Sequence, residues 1–457
     1  MYRSIRERID RHAATVTVMG QGYVGLPLAL RLAEVGFRTF GFDTDSTRAS
    51  ALQQGHSYVV DVPDKRVRMA LSSGYYTPTS DASVLRLSDV IIICVPTPLR
   101  KSREPDLSYV VGAVEMVKEH LRPPQLVILE STTYPGTTNE IVVGRLEESG
   151  YRVGQDYFVC FSPERVDPGN KQYGIHNTPK VVGGVTPACT DLGAAVYRHV
   201  ANEVITVSSA RAAEMVKLLE NTFRAVNIGL VNELALMAER MGIDIWEVID
   251  AAATKPFGFM PFYPGPGIGG HCIPLDPVYL SWKAKQYGFY NKFIGLATGI
   301  NANMPRHVVA KVSEALNLIG RAPHGASVLV LGVAYKRDVD DVRESPGVEV
   351  FHLLEAQGAH VDFSDPLVES IRTPDGRSVR RVDLTDERLR SYDCVVLTTD
   401  HTAFDYHWIA RHARLIVDTR NAFRGINAPH IIRLGAPTPH PAEWQARMAL
   451  RVSVDGQ

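Results

Sequence analysis

A cysteine set among glycines is the first residue of this 457-residue chain that suggests chemistry. Cys272 closes Gly267-Ile-Gly-Gly-His-Cys272 and runs on through Ile-Pro-Leu to Asp276. Glycines let a backbone turn tightly and come close to a ligand. A thiol exposed at such a turn can act as a thiolate nucleophile, and Asp276, four residues on, could orient a base or a water. The loop alone equally accommodates a cysteine buried beside a tight turn. His271 is adjacent to the cysteine, and adjacent side chains diverge, so it reads as a bystander. Cys94, Cys160 and Cys394 lie in apolar runs and read as core; Cys189 carries no functional hint.

The second constellation is Gly20-Gln-Gly-Tyr-Val-Gly25. It follows the β-branched run Thr15–Met19 and precedes a helical pattern at Leu28, Ala29, Leu32, Ala33 and Val35 that closes at Gly36. A further strand, Arg38–Phe42, ends on Asp43. In this context each residue has a task. Gly20 allows the turn, Gly22 lets a pyrophosphate approach the backbone, and Gly25 lets the helix pack on the strand. The helix N-terminus offers N–H groups to phosphate. Asp43 accepts from ribose hydroxyls and repels a 2′-phosphate, which predicts NAD and not NADP.

The elements that must position these residues follow from hydrophobic patterning. Val90–Val95, Leu126–Leu129 and Tyr157–Phe161 are apolar runs of the kind found in sheets covered on both faces. They predict a doubly wound α/β sheet up to about residue 205. From about 210 to 242 there is no proline, and Met215, Leu218, Leu219, Val226, Leu230, Leu234 and Met237 recur at helical spacing. This predicts one long helix opening a helical middle region, followed by the Gly/Pro-rich segment Phe262–Gly270 and more helix to about 320. Strands at Ser327–Leu331, Val361–Phe363, Cys394–Leu397 and Leu415–Val417 predict a second α/β sheet. The expected fold is therefore α/β: two doubly wound Rossmann-like domains, 1–207 and 321–457, joined by a helical middle domain, 208–320, with a long connecting helix.

Composition limits the function classes. The 49 basic and 50 acidic residues leave a formal charge of −1, which argues against a nucleic-acid binder working through general electrostatics. No apolar run is long enough for a membrane span, and the charged N-terminus lacks a signal-peptide core. Five cysteines with no Cys-x-x-Cys pair suggest a reducing cytoplasm, no disulfide framework and no zinc site.

Taken in order along about residues 14–425, the motifs resemble those of the nucleotide-sugar 6-dehydrogenases, the group acting on UDP-glucose, UDP-N-acetylglucosamine and UDP-N-acetylmannosamine. The motifs that carry the resemblance are Gly20–Leu26, Glu130-Ser-Thr-Thr-Tyr-Pro-Gly136, Ser162-Pro-Glu-Arg-Val-Asp-Pro-Gly169, Lys217-Leu-Leu-Glu-Asn221, Gly269-Gly-His-Cys272, Tyr335-Lys336 and Arg343-Glu-Ser345. The resemblance implies a four-electron oxidation with two NAD⁺, in which Cys272 forms a thiohemiacetal and then a thioester with the sugar C6. It implies that Lys217 and Asn221, four apart on one helix face, stabilise the developing oxyanion. It also implies that Asp276 and a water near Thr132 move protons, and that Glu164 serves in thioester hydrolysis. The same resemblance assigns Tyr23, Val24, Arg48, Thr97, Thr132 and Arg343 to the cofactor, beside the glycine turn and Asp43. To the UDP-sugar it assigns Glu164, Arg165, Lys217, Asn221, Tyr263, Gly265, Gly269, Lys336 and Arg420. It further implies a homodimer through the middle domain. Without it, Lys217 and Asn221 read as a solvated helix face and Glu164 as a turn residue.

One departure bears on the sugar. UDP-glucose dehydrogenases resemble Pro-Glu-x-x-x-Glu-Gly where this chain has Pro163-Glu-Arg-Val-Asp-Pro-Gly169, with Pro168 in place of the second glutamate. That form, and Gly-His-Cys-Ile-Pro-Leu-Asp-Pro277, resemble the UDP-N-acetylglucosamine enzymes. UDP-N-acetylmannosamine and UDP-glucose remain alternatives. So do a two-electron β-hydroxyacid dehydrogenase, which would need neither Cys272 nor the second α/β domain, and a non-catalytic module binding NAD or a nucleotide sugar.

Overall fold

The computed structural model describes residues 1–446 except 101, 103, 168, 171 and 427. Pro168, on which the sugar argument partly turns, and the end of the chain from 447 lie outside the described residues. The chain divides into two compact units. One comprises Met1–Glu220 with Val278–Tyr290, the other Asn221–Pro277 with Asn291–Gln457.

The first unit carries eight strands: β1 Thr15–Met19, β2 Arg38–Phe42, β3 Tyr76–Thr79, β4 Val90–Ile93, β5 Leu126–Leu129, β6 Phe158–Phe161, β7 Lys180–Gly184 and β8 Val204–Thr206. They form one sheet in the order β3-β2-β1-β4-β5-β6-β7-β8. Every neighbouring pair is parallel except β6 with β7. The reversal of strand order beside β1 places a topological switch point at the carboxyl end of β1, where ligands of doubly wound sheets bind. β1, β4, β5 and β6 are apolar because helices cover both faces; Val16, Val18, Ile92 and Ile128 pack on one side, Met19, Ile91, Ile93 and Val127 on the other. A helix not read from the sequence, Tyr2–Asp10, precedes β1 and buries Ile5 and Ile9.

The long helix spans Ala210–Met241, a residue or so from the predicted bounds. In the second unit its later turns pack on the helix Lys292–Leu318, and Gly229 makes the approach possible: a Cβ there would sit 3.0 Å from Ala297 Cα. The second sheet contains β9 Ser327–Leu331, β10 His360–Ser364, β13 Cys394–Leu397, β14 Ile416–Asp418 and β15 Ile431–Arg433, all parallel in the order β10-β9-β13-β14-β15. A small antiparallel pair, β11 Ser370–Arg372 with β12 Ser378–Arg380, stands apart from it. The expected α/β class with two Rossmann-like sheets and a long helix is the observed one. The helix Ile245–Ala253, which buries Trp246 and Ile249 between the long helix and the Gly/Pro-rich segment, was not anticipated.

Candidate active site

The glycine turn follows β1 and opens the helix Gly25–Glu34. Gly20 has φ +89°, and a Cβ on it would meet Cys94 O at 2.7 Å. A Cβ on Gly25 would lie 1.8 Å from Gly20 O. By contrast, no atom lies within 4 Å of where a Gly22 Cβ would stand. Two glycines are therefore spent on packing, and the third leaves the backbone open where a pyrophosphate would approach. Asp43, almost wholly buried, accepts from the Gln21 N–H at 2.8 Å and the Asp45 N–H at 3.0 Å. The acid that sequence reasoning assigned to ribose thus also ties the end of β2 to the turn. Arg48 lies 3.7 Å from Asp43 and over the Tyr58 ring. Tyr23 is exposed and Val24 half-buried on the turn. These features fit a dinucleotide.

Sequence reasoning overlooked Gln21. Its fully buried amide donates to Val18 O at 2.9 Å and accepts from Tyr76 OH at 2.8 Å, while Tyr58 OH donates to its carbonyl. A long polar residue inside the turn, between two glycines that cannot hold it, was the available signal. Cys94 sits just beyond β4 against the turn, half-buried and packed on the core as read from the sequence; Cys160, Cys189 and Cys394 are buried.

Thr132 lies half-buried in the loop after β5. That loop is fastened by Glu214, one turn before Lys217 on the long helix. Its carboxyl accepts from the Gly136 N–H at 2.5 Å, the Thr138 N–H at 2.8 Å and Thr138 Oγ1 at 2.7 Å. Burial, partly opposed by these bonds, pushes Glu214 up to about 7. Thr97 accepts through its carbonyl from Tyr279 OH at 2.6 Å. Glu164 follows β6 and is buried; burial alone would raise its pKa, but Lys180, the Val166 N–H and Lys217 outweigh it and hold the carboxyl below its ordinary range. Lys217 is thus near enough to act on Glu164. Arg165 instead pairs with Glu220 at 2.7 Å and donates to Pro179 O.

In the second unit the candidate residues fall into two groups. Cys272, half-buried, sits in a turn whose carbonyl accepts from the N–H groups of Leu275 and Asp276 at 3.0 and 2.8 Å. That turn delivers Asp276 to the start of the helix Asp276–Gln286, where Asn221 Nδ2 donates to Asp276 Oδ2 at 2.5 Å. The preceding glycines pack against the Tyr335–Ser345 stretch. A Cβ on Gly269 would meet Glu344 O and Tyr335 Cβ, both at 2.7 Å, and Gly270, at φ +85°, would drive one into the Tyr335 ring at 2.8 Å. The Gly270 N–H donates to Arg343 O at 3.0 Å. Two motifs some 65 residues apart are thus one structure, and these glycines serve protein packing, a role that sequence reasoning did not read beside the approach to a ligand. Lys336 is half-buried in it, and the exposed Arg343 side chain pairs with Asp341.

The other group centres on Gly265. The buried amides of Asn232 and Asn301 bond each other at 2.9 Å, and Asn232 Oδ1 accepts the Gly265 N–H at 3.0 Å. A Cβ on Gly265 would touch Arg420 at 2.7 Å, so the guanidinium lies along bare backbone, with Nε donating to Thr398 O. Tyr263 stacks on Trp246 and donates to Asp250 at 2.9 Å. Among the described residues no group of three or more His, Cys, Asp or Glu could hold a metal ion, and no helix is long and apolar enough to cross a membrane.

Comparison with known proteins gives matches to three successive domains of one family between residues 14 and 425. Residues 14–201, 211–303 and 329–425 match, in turn, the NAD binding, central and UDP binding domains of the UDP-glucose/GDP-mannose dehydrogenase family. The UDP-N-acetyl-D-mannosamine dehydrogenase of Pyrococcus horikoshii is 36% identical over 419 residues, 90% of this chain and 96% of that protein. The UDP-N-acetyl-D-glucosamine 6-dehydrogenase of Pseudomonas aeruginosa is 37% identical, over 85% and 91%. A solved structure of the Pyrococcus horikoshii UDP-D-ManNAc dehydrogenase superposes with a TM-score of 0.84 at 33% identity, covering 93% of this chain and all of that one. The UDP-glucose dehydrogenase of Pyrobaculum islandicum gives 0.82 at 30%, over 93% of this chain and 98% of that one. The chain belongs to the UDP-glucose/GDP-mannose dehydrogenase family and is an NAD-dependent UDP-sugar 6-dehydrogenase.

Proposed function

We propose that this enzyme oxidises the C6 hydroxyl of UDP-N-acetylglucosamine to the carboxylate, through a thiohemiacetal and a thioester on Cys272. The observation that carries the reading is the Cys272 turn: it leads directly into Asp276, whose carboxylate is held by Asn221. A nucleophile, an acid–base group and an amide donor are thereby joined through one short run of structure. The glycine turn and Asp43 would hold NAD, which supplies the hydride acceptor for each oxidation.

The chain's residues carry the rest. Asp276, with a water near Thr132, takes the hydroxyl proton as the aldehyde forms. The Cys272 thiolate adds to C6, because an aldehyde has no convenient hydride to give until a nucleophile adds. Lys217 and Asn221 stabilise the oxygen as it gains charge. After the second oxidation, water attacks the thioester carbon, Glu164 takes its proton, and the C–S bond breaks with its electron pair returning to sulfur. Lys336, Arg420, Gly265, Gly269, Tyr263 and Arg165 bind the UDP-sugar, and Arg343, Arg48, Thr97, Tyr23 and Val24 serve the cofactor. We assign residues 1–207 to the cofactor, 208–320 to dimer formation and catalysis, and 321–457 to the nucleotide.

The N-acetylglucosamine assignment is supported by Glu164-Arg-Val-Asp-Pro-Gly169 and by the Pseudomonas aeruginosa relative. The Pyrococcus horikoshii protein, of nearly equal identity, favours UDP-N-acetylmannosamine as the second reading. NADH production with UDP-N-acetylglucosamine, UDP-N-acetylmannosamine and UDP-glucose, each purified, tests the choice. The highest kcat/KM belongs to the first; turnover confined to either of the others overturns it.

A further inference from the structure

Three adjacent strands of the first sheet each deliver a charged side chain to one buried point. Glu130 follows β5, Glu164 follows β6, and Lys180 opens β7. Lys180 is 4% exposed, and its ammonium stands 3.0 Å from Glu130 Oε1 and 3.2 Å from Glu164 Oε2. Tyr197, from the helix Pro187–Val200, donates its hydroxyl to Glu130 Oε1, and its ring faces the ammonium. The other Glu164 oxygen accepts the N–H groups of Arg165 and Val166 at 2.9 and 2.7 Å. Both Glu164 oxygens are therefore held and its carboxyl plane is fixed. Glu130 Oε2 has no hydrogen-bond partner among the described residues.

Two carboxylates and one ammonium, all buried, are an expensive way to fill a core; apolar residues of similar volume would cost the fold less. The arrangement is also asymmetric. Glu164 is fully provided with donors to its charged form, and Glu130 is not. Burial accordingly leaves Glu130 with a raised pKa, while Glu164 is kept below its ordinary range in spite of burial.

We propose that Lys180 is a positioning residue for thioester hydrolysis: anchored by Glu130 and Tyr197, it fixes the Glu164 carboxylate, ionised and in one orientation, to take the proton of the attacking water. The inference rests on the reading of Glu164 as the group that serves hydrolysis. In that step the water oxygen bonds to the thioester carbon, one water proton passes to Glu164, and the C–S electron pair returns to Cys272.

The test separates oxidation from hydrolysis. The full-length enzyme is mixed with NAD⁺ and whichever of the three UDP-sugars the wild type turns over fastest. NADH is followed through the first turnover, and intact mass reports any adduct on Cys272. The Lys180→Met/Glu130→Gln double variant removes the ammonium without leaving Glu130 charged. It is expected to release two NADH per site in a burst, accumulate the thioester adduct, and turn over at least about tenfold more slowly; a base that is removed outright costs about 10²–10⁴. Glu130→Gln alone weakens the anchor but keeps the Lys180–Glu164 pair, and it is expected to slow hydrolysis less than the double variant does. Lys180→Arg, which keeps a cation between the carboxylates, recovers most of the steady rate and covers the case in which the double variant does not fold. A folded double variant that hydrolyses at the wild-type rate, or that loses the burst as fully as the steady rate, overturns the proposal. So does a folded Lys180→Arg that accumulates adduct as fully as Glu164→Gln. Glu164→Gln tells the two ideas apart. If it accumulates adduct and the double variant does not, Lys180 alone has been misassigned; if it accumulates none, the reading of Glu164 is wrong.

Discussion

Asn221 donates its side-chain N–H to Asp276 at 2.5 Å, joining the long helix to the helix that begins four residues after Cys272. The bond fixes one oxygen of the carboxylate that we propose moves the proton. Asp276→Asn keeps the shape but removes the base. It is expected to lower kcat by about 10²–10⁴ with KM for the sugar changed little. Asn221→Ala removes this bond to the carboxylate and the proposed oxyanion donor, with an expected loss of about 10²–10³ in kcat. Steady-state kinetics, with circular dichroism to confirm folding, checks both.

We propose that the cofactor preference depends on Asp43 and Arg48, 3.7 Å apart. Asp43→Ser removes the like charge that repels a 2′-phosphate and leaves the arginine with Asp45 as its remaining acidic neighbour, at 3.7 Å. KM for NAD⁺ should rise about tenfold, the equivalent of ~1.4 kcal/mol. NADP⁺ should become a measurable substrate. Because Asp43 also holds the Gln21 N–H, the variant should melt a few degrees lower.

Gly270 is the position where the cysteine loop tolerates least. At φ +85°, with the Tyr335 ring 2.8 Å from its would-be Cβ, Gly270→Ala combines backbone strain with a collision. The cost is about 1–3 kcal/mol for the backbone alone. The additional Tyr335→Ala substitution should recover the part due to collision but not the part due to strain. Chemical denaturation of the two variants measures each share.

Glu214 makes stability depend on pH in a particular direction. Burial raises its pKa from 4.5 to about 7. The folded state then holds a proton that the unfolded state has released between those values. The contribution is complete below about pH 4.5 and is lost as pH rises through about 7, by an amount on the order of 3 kcal/mol. Wild-type melting temperature should therefore fall, relative to Glu214→Gln, on going from pH 5 to pH 8. A difference between the two that stays constant over this range contradicts the assignment.

Local sequence made some of this legible and withheld the rest for a physical reason. Gly20, Gly22, Gly25 and Asp43 announce themselves because a turn and its two flanking elements lie within thirty residues. The long helix announces itself through its period. Lys180 gave no such signal: it reaches Glu130 and Glu164 only because β7 returns antiparallel beside β6, a pairing that no local pattern encodes. Glu214 carries no local signal either, because its partners lie in the Gly136 loop, some 78 residues away in the chain. Gly269 and Gly270 were visible as glycines, but their partner, Tyr335, is distant in the chain, so their packing role was not.

The most direct measurement counts NADH released per UDP-sugar consumed, in wild type and in Cys272→Ala. A Cys272 thioester mechanism gives two NADH per sugar and a product in which CH₂OH has become COOH. In the alanine variant overall turnover collapses while the fold and NAD binding persist. One NADH per sugar in the wild type, or full uronic acid formation without the thiol, contradicts the account.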